Sequence, residues 1–170
     1  MNQYLMAGLW AVVGAAVGVG IRWGSVRLAR LEELEPGHRW WQVYGPPVLA
    51  AVVFAIYGYE ITSFPILVVR SIFVAVLVQV IFFDFEHHLI LDRVMFPAMG
   101  LALLVNLSSL VAPGLGLWHQ AWWAGLAMGV GAGLLFLLLA LAGSAVFKAE
   151  ALGFGDVKLA LFMGLLLGWP

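Results

Sequence analysis

The chain has 170 residues, of which 64% are hydrophobic and only 10% charged, and its mean hydropathy is +1.05. That leaves too little polar surface to cover a water-soluble globule. A formal net charge of −1, with the cations scattered among connections and forming no patch, excludes a nucleic-acid partner. The absence of cysteine excludes disulfides, thiolate metal sites and a cysteine nucleophile.

The lipid bilayer is the remaining solvent. The apolar residues form continuous Leu, Val, Ala and Gly runs without the alternation of a β-barrel, which predicts an all-α bundle of about six spans. The first runs from about Leu5 to Ile21. Met1 to Tyr4 carry no cation ahead of it and no cleavage site follows, so it reads as a retained anchor. The second, from about Tyr44 to Tyr57, is short and opened by Pro46-Pro47. The third runs from about Pro65 to Phe83. The fourth runs from about Val94 to Val111 and stops at Pro113-Gly114, because proline cannot continue a helix. The fifth runs from about Ala121 to Phe147. The last begins near Val157 and reaches only to Pro170, too short to cross roughly 30 Å of hydrocarbon, so the chain reads as incomplete at that end.

Cations set the orientation. Arg22, Arg27, Arg30 and Arg39 fall in the first connection, Arg93 in the third, and Lys148 and Lys158 in or beside the fifth. The connections around Glu60 and around Trp118-His119 have none. The positive-inside rule therefore places the first, third and fifth connections in the cytoplasm. Arg70 is the exception, about one turn inside the third span, where it can snorkel to the outer interface.

Gly125, Gly129 and Gly133 recur along the fifth span, as do Gly14 and Gly18 along the first, and predict close helix packing. Trp118, Trp122, Trp123 and Trp169 fall near span ends, as an aromatic belt would.

Chemistry is expected at the aspartates. Asp84 closes the third span, Asp92 follows eight residues later, and Asp156 opens the last. A carboxylate at a hydrocarbon boundary is costly, which makes each a functional candidate. Two carboxylates facing each other in a poorly hydrated site hold one proton between them, the state that aspartic proteolysis uses. The charged member takes a proton from water while the other donates to the carbonyl oxygen. Glycines beside Asp156 allow unusual backbone angles or a close approach by a strand or helix.

Gly153-Phe154-Gly155-Asp156-Val157-Lys158-Leu159 resembles the Gly-x-Gly-Asp-x-Lys-Leu signature of the type IV prepilin peptidases, which belong with presenilin to a wider group of intramembrane proteases. The segment Asp84 to Arg93 is similar to that family's other motif. The resemblance implies a single membrane-embedded peptidase domain over 1–170, in the bacterial inner membrane with its active site facing the cytoplasm. Asp84 and Asp156 would be catalytic, while Gly153, Gly155, Asp92 and Lys158 would bind substrate or shape the site. The substrate would be a prepilin or pseudopilin-like protein losing its basic leader, with no cofactor and no metal. Leu91 stands where the family usually has proline. The cysteine-bearing cytoplasmic insert of the bifunctional members is missing, and with it the expectation of methyl transfer.

Plainer roles are available. Asp84 could be an interfacial cap and Asp156 an N-cap. Asp92 could cap the fourth span or pair with Arg93, and Lys158 could mark the membrane boundary or balance acidic charge. Asp84, Glu86, His87, His88 and Asp92 could suggest a metal, but HExxH spacing is absent and adjacent histidines diverge on a helix. Gln79 suits an interhelical hydrogen bond. The alternatives in function are a small proton- or ion-coupled transporter, which would show midplane acids and internal repeats, and a non-catalytic assembly protein of the same fold.

Overall fold

The computed structural model describes residues 2–108, 110–111, 122–147 and 152–168, and every regular element among them is an α-helix. In chain order they are α1 (Gln3–Leu31), α2 (Trp40–Glu60), α3 (Phe64–His87), α4 (Asp92–Ser108), α5 (Trp122–Phe147) and α6 (Phe154–Leu167). Four of them, α1, α2, α3 and α5, are long and apolar enough to cross a membrane; α4 and α6 have 17 and 14 residues and are shorter. Large apolar side chains such as Val12, Val130 and Leu138 are exposed along these helices, as expected of a surface that faces lipid.

Helix boundaries differ from the hydropathy boundaries for physical reasons. α1 continues through Arg22, Arg27 and Arg30 to Leu31, leaving 32–39 as the first connection. Arginine and leucine are good helix formers, and the first strong breaker is Pro36-Gly37. Pro46 and Pro47 lie inside α2, which begins at Trp40. α4 ends at Ser108, short of Val111, and α6 begins at Phe154. The expectations for Pro113-Gly114, Trp118, His119, Ala121, Lys148, Trp169 and Pro170 lie outside the described residues.

The helices gather in two compact units, residues 1–89 and 90–170. In the first, α1 and α2 form an antiparallel pair with α3 alongside. Gly18 lies so close to α2 that a Cβ there would stand 2.4 Å from the Cα of Pro47. Ile21, Phe54, Val74 and Val78 form the core beside this crossing. Polar bonds tie α3 to α1: Gln79 Nε2 donates to Ser25 Oγ at 2.8 Å, and Trp10 Nε1 donates to Ser71 Oγ at 2.8 Å. In hydrocarbon such bonds add specificity to packing that the hydrophobic effect does not drive.

In the second unit α5 and α6 are antiparallel and nearly touch. A Cβ on Gly164 would meet the carbonyl oxygen of Met128 at 2.4 Å and the Cα of Gly129 at 2.7 Å, so the predicted glycine stripe of α5 is a packing surface. α4 joins α6 through Asn106, whose Nδ2 donates to the carbonyl of Leu165 at 2.9 Å.

Candidate active site

Asp84 lies in the last turn of α3. Its carbonyl accepts from the N–H of His88 at 2.7 Å, and His88 ends the helix in the left-handed region at φ 52°, ψ 39°. The Asp84 side chain is half-buried and makes no hydrogen bond or ion pair among the described residues.

Glu86, two residues on, is fully engaged. Its side chain is only 5% exposed and accepts from Arg22 Nη1 at 3.0 Å through one oxygen and from the N–H of Gly37 through the other. Arg22 Nη2 donates to the carbonyl of Gly37, closing a ring of three partners. His87 packs its ring on Phe83 at 4.6 Å between centroids and holds Nε2 3.5 Å from Glu86 Oε1. A Cβ on Gly37 would displace the end of the Gln42 side chain, whose Oε1 accepts from the Arg39 N–H at 2.7 Å. α1, the first connection and the end of α3 are thus joined by charge-assisted bonds.

In the second unit Asp156 is the third residue of α6, with Gly153 in the N-cap position, so Asp156 does not cap the helix. Its N–H donates to the Gly153 carbonyl at 3.1 Å, and its carboxylate, like that of Asp84, has no hydrogen-bond partner among the described residues. A carboxylate in the first turn complements the helix dipole. Neither glycine adopts a positive φ, and only Gly155 is crowded: a Cβ on Gly153 would meet nothing closer than Asp156 Oδ2 at 3.7 Å. Gly153 is extended at φ −68°, ψ 144°, and a Cβ on Gly155 would stand 3.0 Å from Cβ of Ile90.

Asp92, the first residue of α4, receives a hydrogen bond from Lys158 Nζ. The ammonium also lies 5.3 Å from the ring centre of Phe96 and 4.9 Å from that of Phe154. Lys158 therefore balances an acid, and Asp92 is a structural partner of α6. An apolar cavity of about 430 Å³ runs between α5 and α6, lined by Met128, Phe136, Met163, Gly164 and Leu167, with Asp156 the charged member of its lining.

Of the sequence-predicted residues, Gly153, Gly155, Asp92, Asp156 and Lys158 gather at the facing ends of α4 and α6, and Asp84 is carried by the first unit. Glu86 and Arg22 take structural places that the sequence reading did not give them. They are separated by 64 residues, and no local pattern links them.

The protein so described is a multi-pass helical membrane protein in which the carboxylates of Asp84 and Asp156, at helix ends, have no partner among the described residues. The sequence profile of the type IV leader peptidase family matches residues 71–170, more than half of the chain. The chain belongs to that family and is a peptidase of the leader-peptidase kind. No curated protein and no solved structure matches it.

Proposed function

We propose that this chain is an aspartic endopeptidase that removes the basic leader from type IV prepilins or pseudopilin-like proteins at the cytoplasmic face of the bacterial inner membrane, with Asp84 and Asp156 as its dyad. The observation that carries the reading is a contrast among four acids. Glu86 and Asp92 each hold a cation, whereas the carboxylates of Asp84 and Asp156 are not committed to any partner among the described residues. Carboxylates engaged in ion pairs cannot readily serve as acid and base; uncommitted ones can.

In this reading one carboxylate takes a proton from the attacking water as its oxygen bonds to the scissile carbonyl carbon. The other donates its proton to the carbonyl oxygen. Collapse of the tetrahedral intermediate breaks the C–N bond, and the departing amine takes the proton first accepted from water. The substrate's hydrophobic helix would lie against the apolar wall beside Asp156, while its basic leader stays outside the hydrocarbon and sets the depth of the scissile bond. The connection 32–39 and the whole chain lack cysteine, so the reading is of peptidase without methyl transfer.

The test is cleavage of a co-expressed prepilin in membranes by the parent, Asp84→Asn and Asp156→Asn chains, inserted at equal levels. Cleavage by the parent alone supports the dyad. Cleavage by either variant removes that aspartate from the chemistry, and an inert parent removes the reading of this chain as a prepilin leader endopeptidase.

A further inference from the structure

The mechanism uses Asp84 but leaves the ring around Glu86 without a role, although both oxygens of that carboxylate are engaged. A buried carboxylate held by a guanidinium and a main-chain N–H is costly to assemble, so its geometry is restrictive. Two properties of the ring bear on the site. First, residues two apart on a helix point to nearly opposite sides, since each step turns the chain by about 100°. Anchoring Glu86 to α1 and the first connection therefore fixes the rotation of the last turn of α3 and directs Asp84 away from that anchor. Second, the turn lies next to the helix end, with His88 already in the left-handed region, where helices otherwise fray.

Arg22 spans the ring as a planar fork, one Nη on Glu86 and the other on the Gly37 carbonyl. A lysine has a single ammonium on a flexible stem and does not present those two donors in a fixed plane. Gly37 completes the ring with its N–H and, as a glycine, leaves room for Gln42.

We infer that Glu86 and Arg22 are positioning residues for the peptidase reaction: their ring with Gly37 locks the last turn of α3 and so presents the Asp84 carboxylate at a constant orientation. Neither touches substrate. The inference rests on the reading of Asp84 as half of the dyad.

The experiment uses the full chain in detergent micelles with a peptide substrate covering a prepilin leader and the start of its hydrophobic helix. Parent, Glu86→Gln and Arg22→Lys chains are compared below their unfolding midpoints. A misplaced reacting group costs on the order of 10- to 100-fold in rate. Both variants should lose at least about tenfold in kcat with KM held within about twofold, a split that simple destabilisation does not produce. Amide hydrogen exchange supplies the second measurement and does not depend on activity. Exchange should rise in 84–88 and 32–39 of both variants, with α2 peptides unchanged. Unchanged kcat in Glu86→Gln, or unchanged exchange over 84–88, overturns the inference. If the parent itself cleaves nothing, the reading of this chain as a prepilin leader endopeptidase fails, and the positioning of Asp84 for that reaction fails with it. An active parent with unaltered variants sinks only the role of the ring.

Discussion

Lys158, in the first turns of α6, reaches the carboxylate of Asp92 at the start of α4 and lies over the rings of Phe96 and Phe154. The partners are unequally hydrated, with side chains 16% exposed for Lys158 and 54% for Asp92.

That inequality makes the two halves of the pair respond differently to mutation. Lys158→Met removes the charge and leaves an aspartate that water still solvates, so the cost should be about 1 kcal/mol, in the range of a partly exposed ion pair with aromatic contacts. Asp92→Asn keeps an acceptor but takes the opposite charge from a mostly covered ammonium, and should cost more, about 2 kcal/mol. The double variant should resemble Lys158→Met alone. Thermal unfolding in detergent of the four chains checks the order, and equal losses from the two single variants would refute it.

The uncommitted carboxylates lead to a separation of stability from activity. Asp84→Asn and Asp156→Asn remove no side-chain bond among the described residues and leave shape unchanged, so each should alter stability by no more than about 0.5 to 1 kcal/mol, the upper end allowing for the helix-dipole contribution of Asp156. Each should nonetheless abolish leader cleavage. Unfolding midpoints measured on the same preparations used for cleavage test both halves, and a large drop in midpoint would show a structural role instead.

Glycine substitutions should divide by what a Cβ would meet. At Gly164 it would run into main-chain atoms of α5, which cannot yield without separating the helices, so Gly164→Ala should destabilise by about 1 to 3 kcal/mol. Gly100 and Gly131 have nothing within 4 Å of the added atom, and alanine there should be neutral or stabilising by up to about 1 kcal/mol. Denaturation in mixed micelles, run on all three, decides it. A neutral Gly164→Ala would mean that α5 and α6 do not cross this closely.

The division between legible and illegible features follows the range of the interactions involved. The aspartates and the Gly-x-Gly-Asp run are local signals, and helix type followed from uninterrupted apolar runs. Helix ends were harder to read. Hydropathy marks where hydrocarbon ends, and α1 continues past that point through Arg22 and Arg27 because nothing breaks it before Pro36. Pro46 and Pro47 read as a helix start, yet they sit within α2, where neighbouring helices can shield a locally broken hydrogen-bond ladder. The pairings Arg22 with Glu86 and Lys158 with Asp92 span 64 and 66 residues, so residue type suggested a partner while only the fold determines which one.

The end of α3 gives a last prediction. His88 holds φ 52° and ψ 39°, a left-handed conformation that histidine enters more readily than most side chains but that only glycine enters without steric cost. Its N–H donates to the Asp84 carbonyl, the last turn's i→i−4 bond, and the left-handed residue then turns the chain out of the helix. His88→Gly should therefore retain the helix end and leave stability unchanged or raised by up to about 1 kcal/mol. His88→Val, β-branched and disfavoured there, should cost about 1 to 2 kcal/mol. Because Asp84 is in the same turn, the valine variant should also loosen it, visible as faster amide exchange over 84–88, whereas the glycine variant should match the parent. Equal exchange in both variants would show that the left-handed cap does not hold the turn that carries Asp84.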